Sequence, residues 1–315
     1  MKVFVAGATG VVGRQLVPQL VERGHEVVGM TSRPEKSELL RGLGATPVVA
    51  DALDPEAVGL AVSEAAPDAI VHQLTALSAG VNPRHQERDL AATNRLRTEG
   101  TDHLLSAGRA IGVRRFVAQS FLIGTYERRG GAVKSEDDPL DSEPAPSFRT
   151  GLEAIRHLEE AVVGAEWTEG IVLRYGFFYG PGSQLALDPP GEAVEMIRKR
   201  RMPVIGGGGG VWSFTHVEDA ASATVAALEQ GRRGIYNVVD DEPAPVSEWL
   251  PALADALGAK APRRLPRWVG RLAVGNGFVT MMTEARGASN QKAKRELHWT
   301  PRYSSWRRAF AGGAA

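Results

Sequence analysis

The chain has 315 residues, with 37 Lys plus Arg balanced by 37 Asp plus Glu, seven histidines and no cysteine. Zero net charge argues against a dedicated nucleic-acid binder, and the lack of cysteine excludes a disulfide framework, a thiolate nucleophile and a Cys-ligated zinc. The length suits one large domain carrying a smaller lobe.

Lys2 to Ala6 reads as a buried parallel strand, because Val3, Phe4 and Val5 form an apolar run without alternation. It runs straight into Gly7-Ala8-Thr9-Gly10-Val11-Val12-Gly13. Gly7 lets the chain turn off the strand, Gly10 lets backbone approach a diphosphate, and Gly13 lets the next helix pack close to the sheet. That helix, Val11 to Arg23, aims its N-terminal N–H groups at the diphosphate, and His25 to Gly29 completes a βαβ unit. The spacing is G-x-x-G-x-x-G rather than G-x-G-x-x-G, so the surrounding strand and helix carry the assignment. A dinucleotide is the expected ligand.

The alternation continues. Thr46 to Val49 is a strand, Pro55 to Glu64 a helix, Ala69 to Gln73 a strand, Gln86 to Ile111 one long helix and Arg115 to Ala118 a fifth strand. Glu136 to Pro146 reads as a loop, Thr150 to Val163 as a helix and Gly170 to Arg174 as a strand. Beyond it, Gly180-Pro181-Gly182, Asp188-Pro189-Pro190-Gly191 and Gly206 to Gly210 break the chain into short pieces suited to a lobe. Val217 to Glu229 is a helix, and Gly234 to Val239 returns to the sheet. The pattern predicts an α/β fold, a Rossmann-type doubly wound parallel sheet with a smaller C-terminal substrate lobe. The expected division is 1–176 and 213–239 for the dinucleotide-binding domain, with 177–212 and 240–315 for the substrate lobe.

No apolar run approaches the roughly 18 residues of a membrane helix. The start lacks a basic segment, apolar stretch and cleavage site, so a cytoplasmic protein without membrane partners is expected. The histidines show no H-x-x-x-H or H-E-x-x-H spacing, and no metal site is expected. His216 is expected to fix a helix start. Arg198-Lys199-Arg200-Arg201 reads as a solvated face, and Trp268, Trp299 and Trp306 as core residues among the basic C-terminal segment.

Several segments together resemble the extended short-chain dehydrogenase/reductase superfamily, the NAD(P)-dependent epimerase and dehydratase group. They are Thr9-Gly10-Val11-Val12-Gly13, the strand-to-lobe crossing Val172 to Gly182, the segment Gly206 to Asp219, and Lys294 to Pro301. The resemblance covers nearly the whole chain. It implies a nicotinamide nucleotide in the strand-end cleft, a small-molecule substrate under the C-terminal lobe, and a homodimer if the helices Gln86 to Ile111 and Thr150 to Val163 pair across a two-fold axis.

The second strand ends Gly29-Met30-Thr31-Ser32-Arg33, with no acid for ribose hydroxyls and an arginine suited to a 2′-phosphate. NADP(H) is therefore preferred, NAD(H) remaining open; the plainer reading of Arg33 is a solvated loop residue. Asp51 matches an adenine-side acid in the group, and equally a turn acid. Gln73, Leu74 and Thr75 match the segment under the diphosphate and ribose, where contacts are mainly through backbone.

Oxidoreductases of the group use Tyr-x-x-x-Lys to move the substrate proton, the lysine lowering the tyrosine pKa. This chain has no such pair: in the corresponding helix it reads Ser147 to Arg156, without phenol or ammonium. The partner hydroxyl survives as Ser120, which orients a carbonyl but is a poor proton donor. Tyr126, with Lys134 a few residues later, is the candidate replacement acid, against the plainer reading of both as lid residues. The expectation is an NAD(P)-dependent oxidoreductase or epimerase acting on a carbonyl, alcohol or sugar-type substrate. An NADP(H)-reading sensor, or an isomerase or cyclase with a structural nucleotide, is the alternative.

Overall fold

The computed structural model describes residues 1–77, 82 and 84–311. Seven parallel strands form the central sheet: β1 (Lys2–Ala6), β2 (Glu26–Thr31), β3 (Thr46–Val49), β4 (Ala69–His72), β5 (Arg115–Phe121), β6 (Glu169–Tyr175) and β7 (Gly234–Val238). Their spatial order is β7-β6-β5-β4-β1-β2-β3. The order reverses between β1 and β4, whose last residues Ala6 and His72 are register partners. Ligands in such sheets bind outside the carboxyl ends of the strands at this reversal.

Helices cover both faces. α1 (Gly13–Glu22) packs beside the later helix Val217–Gln230, and Leu16, Val17 and Leu20 join Val3, Val5 and Val71 in one buried layer. α2 (Ser37–Gly42) joins the same layer through Leu40, whereas on the other face α3 (Pro55–Ala65) packs on the helix Glu99–Ile111, burying Val58, Val62 and Leu104 against Phe4, Ile70 and Phe116. Asp54 caps α3, accepting from the backbone N–H of Glu56 and Ala57.

The expected single helix from Gln86 to Ile111 is two: α4 (Gln86–Arg97) and α5 (Glu99–Ile111). They break at Thr98, whose ψ of −83° leaves the helical region and whose hydroxyl donates back to the Asn94 carbonyl at 3.1 Å. Such back-bonding bends helices.

α6 (Pro146–Val163) starts four residues earlier than expected, with proline at its first position. After β6 the chain forms a second core around Trp212, Trp249, Phe214 and Trp306, with ring centroids 5.0 Å apart for the first two. Helices α7 (Glu192–Arg198), α9 (Val246–Ala256) and α10 (Arg267–Glu284) belong to this lobe, whereas α8 (Val217–Gln230) rests on the sheet. Trp299 and Trp306 are buried as expected, but Trp268 is 66 % exposed on α10 and is no core residue. Gly275, at φ +83°, kinks α10, so the turn bearing Trp268 does not follow the buried half. Among the described residues no helix is long and apolar enough to cross a membrane.

Candidate functional site

The turn after β1 is built from close approaches. Gly7 has φ +89°, and a Cβ there would fall 2.6 Å from the Gln73 carbonyl oxygen at the end of β4. A Cβ on Gly13 would fall 2.4 Å from the Gly7 oxygen, so only glycine lets α1 begin this near the strand. The Gly10 N–H bonds the Gly7 carbonyl at 3.0 Å, folding Ala8 and Thr9 into a tight turn. Val12 precedes α1 with no side-chain cap, and no acid lies in the first turn. The orphan N–H groups and positive dipole end therefore face the cleft without a competing anion, which fits the diphosphate of a dinucleotide.

The other residues singled out in the sequence make the following contacts within the protein. Arg33 is exposed just after β2, its N–H bonded to Thr31 Oγ1 at 3.2 Å. Asp51 lies after β3, where its carboxylate accepts from the Leu53 N–H at 3.0 Å in a local turn. Gln73 is buried, its amide donating to the Tyr175 hydroxyl at 3.1 Å, while Leu74 donates its N–H to His72 Nδ1 and Ala76 donates to Thr93 Oγ1. Thr75 follows in the same extended segment, exposed. Arg14 was not foreseen: exposed in the first turn of α1, its Nη2 lies 3.2 Å from where a Gly182 Cβ would be, bringing a cation to the crossing loop.

Ser120 and Tyr126 are brought into one buried network rather than into an open cleft. The Ser120 hydroxyl donates to Glu159 Oε1 at 2.8 Å. Arg174, the register partner of Ser120 on β6, grips Glu159 with Nε to Oε1 at 2.7 Å and Nη2 to Oε2 at 2.6 Å. Its Nη1 donates to the Tyr126 hydroxyl at 2.9 Å, which in turn donates to Asn237 Oδ1 at 2.8 Å. All five side chains are at most 5 % exposed. Burial pushes the Tyr126 phenol above its usual range, with Arg174 pulling back, so this hydroxyl is a poor acid where it stands. Lys134 pairs with Asp138 at 3.0 Å; the cation beside Tyr126 is Arg174. Sequence reading missed Glu159 and Arg174, although a glutamate on the apolar stripe of α6 with Leu152, Ile155 and Val162 was the available signal.

On α6, Gly151, Ile155 and Glu159 share one face at four-residue spacing, and the first two carry neither phenol nor ammonium. A Cβ on Gly151 would meet only Asn94 Oδ1, at 3.9 Å, among the described residues. That same amide oxygen accepts from Arg97 Nη1 at 3.5 Å. Arg97 ends α4 and is 9 % exposed. Burial pulls its guanidinium down to about 10, the Glu159 charge pulling back, so it stays cationic at neutral pH. Its carbonyl is held by the Thr101 hydroxyl at 2.7 Å, and that hydroxyl lies 3.1 Å from His72 Nε2. With Nδ1 accepting from Leu74, His72 carries its proton on Nε2; burial lowers it to about 4, so it is neutral.

Several of the basic C-terminal residues are ion-paired: Arg267 with Glu284, Lys294 with Asp241, Arg302 with Glu218, and Arg307 with Glu242 and Glu248. His216 caps α8 as expected, Nδ1 accepting from the Glu218 N–H.

A family signature described as the NAD dependent epimerase/dehydratase family matches residues 3–239. The chain belongs to this family. It is 44 % identical over 313 residues to a 3-diazoavenalumate denitrifying reductase from a Streptomyces species, covering 98 % of both chains. A 2-alkyl-3-oxoalkanoate reductase from Stenotrophomonas maltophilia is 28 % identical over 273 residues, 82 % of this chain and 76 % of that one. The fold is similar to Thermus thermophilus UDP-glucose 4-epimerase solved with NAD, with TM-score 0.73, 26 % identity, and 99 % and 97 % of the two chains covered. A human epimerase family protein solved with NADPH has TM-score 0.73 at 21 % identity, with 99 % of this chain and 98 % of that chain covered. The chain is thus of the oxidoreductase and epimerase kind.

Proposed function

We propose that this protein is a reductase that takes NADPH and reduces an acceptor requiring no proton from the protein, an arenediazonium group whose nitrogen leaves as N2. The observation that carries this is the face of α6: Gly151 and Ile155 offer no acid, and the phenol of Tyr126 is bonded to Arg174 and Asn237. The turn Gly7, Thr9, Gly10, Val11, Val12 and Gly13 would hold the diphosphate through backbone N–H groups, Gln73 to Thr75 the ribose side, Arg33 the 2′-phosphate, and Asp51 the adenine side. A bound reduced nicotinamide supplies a hydride: added to a carbonyl it leaves an alkoxide that needs a proton, whereas R–N2⁺ plus hydride balances as R–H plus N2. Ser120, as donor to Glu159, and the buried Arg174 hold the floor of the site rigid rather than move protons. The 44 % identical relative named for a diazo compound and its denitrification supports the acceptor class.

The test is turnover of a carboxyl-substituted arenediazonium salt with NADPH, measuring reduced cofactor consumed and N2 released. Equal amounts of both are expected. Consumption with β-keto acids or sugar nucleotides, and none with the diazonium salt, would overturn the reading.

A further inference from the structure

We infer that Arg97 forms, with the gap beside Gly151, a binding site for an organic carboxylate, which anchors the substrate of the reductase proposed above. A guanidinium has five N–H donors, and at 91 % burial each donor facing protein needs an acceptor. Among the described residues the Arg97 side chain has one, the Asn94 amide oxygen at 3.5 Å, and no carboxylate within 4 Å. The carboxylate whose charge reaches it, Glu159, already spends both oxygens on Arg174 and one on Ser120. A cation held this deep with no ion pair among the described residues suits an anion supplied from outside the chain.

The space for that anion is adjacent. Gly151 sits inside α6, where glycine weakens a helix relative to alanine, yet among the described residues its Cβ position is open apart from Asn94 Oδ1. No clash excludes a side chain there. The Cβ position of Gly151 and the Arg97 guanidinium thus both lie next to one amide oxygen, with no other described atom outside α6 within 4 Å of the former. Position is enforced from behind: Thr101 holds the Arg97 carbonyl, and His72 at the end of β4 holds Thr101. A planar carboxylate matches the guanidinium fork.

The experiment uses the whole chain, with and without NADP⁺, titrated calorimetrically with benzoate and with its uncharged counterpart benzamide. Wild type is expected to bind benzoate at least tenfold tighter than benzamide. Arg97→Met is expected to abolish the preference while its urea midpoint stays level or rises, since an uncompensated buried charge has been removed, and Arg97→Lys to keep part of it. Equal binding of the two probes by wild type overturns the inference, as does a preference that survives in Arg97→Met. A midpoint far below wild type overturns it too, because Arg97 would then belong to the scaffold. Failure of NADP⁺ to bind would sink the proposed reductase, and the benzoate comparison on nucleotide-free protein would still decide the role of Arg97.

Discussion

Replacing Tyr126 with phenylalanine separates a structural phenol from a chemical one. The ring is 1 % exposed and stays in place, with the Arg174 guanidinium 5.2 Å from its centroid. Only the hydroxyl goes. Arg174 Nη1 loses its acceptor and Asn237 Oδ1 its donor, in side chains 4 % and 0 % exposed, and Asn237 Nδ2 already lacks a partner among the described residues. A buried group left unsatisfied costs about 1–3 kcal/mol, and Arg174 keeps both bonds to Glu159, so a total of about 2–3 kcal/mol is expected. With a urea slope of about 3 kcal/mol/M, the unfolding midpoint falls by roughly 0.7–1 M. Turnover of the folded variant stays within about twofold of wild type. Turnover cut a hundredfold at an unchanged midpoint would put the phenol in the chemistry and refute this reasoning.

Gly7→Ala forces a side chain into φ +89° and against the Gln73 carbonyl; it should abolish nucleotide binding in calorimetric titration and cost about 1–3 kcal/mol of stability, and retained affinity would break the diphosphate assignment. Arg33→Ala should weaken NADPH at least tenfold and leave NADH unchanged, a parallel loss of both arguing against a 2′-phosphate contact. Burial raises Asp240 to about 7, the N–H groups of Trp306 and Glu242 pulling back. Folded Asp240 therefore keeps a proton that the unfolded chain loses near pH 3.9, so its contribution is present at low pH and lost as pH rises to about 7. Asp240→Asn should gain stability relative to wild type across that window, and urea midpoints that run parallel would contradict the shift. His72, lowered to about 4 by burial, acts oppositely: the unfolded chain binds the extra proton between about pH 4 and 6.5, so its contribution is lost on acidification, which His72→Asn should remove.

Much of the fold was legible because strands β1 to β7 are short apolar runs punctuated by glycine, and the turn Gly7 to Gly13 is read from the strand before it and the helix after it. The break at Thr98 was not, since Asn94 to Thr101 keeps helical periodicity and the bend shows only in the Thr98 backbone angle and its hydroxyl bond to Asn94. The site was half legible. Sequence shows which acid α6 lacks, but not that Ser120 and Tyr126 meet through Glu159 and Arg174, because strand register decides that pairing. Arg97 stayed hidden for a related reason: an arginine on a polar helix reads as solvated, and its burial follows from α4 packing on α6.

The proton balance of turnover tests the central claim most directly. In lightly buffered solution, with a carboxyl-substituted arenediazonium salt and NADPH, protons taken up are counted against reduced cofactor consumed. The account predicts no proton uptake per cofactor, because hydride plus diazonium closes the balance without an acid. Uptake of one proton for each cofactor consumed would mean that a protein or solvent acid completes the reaction, and would contradict it.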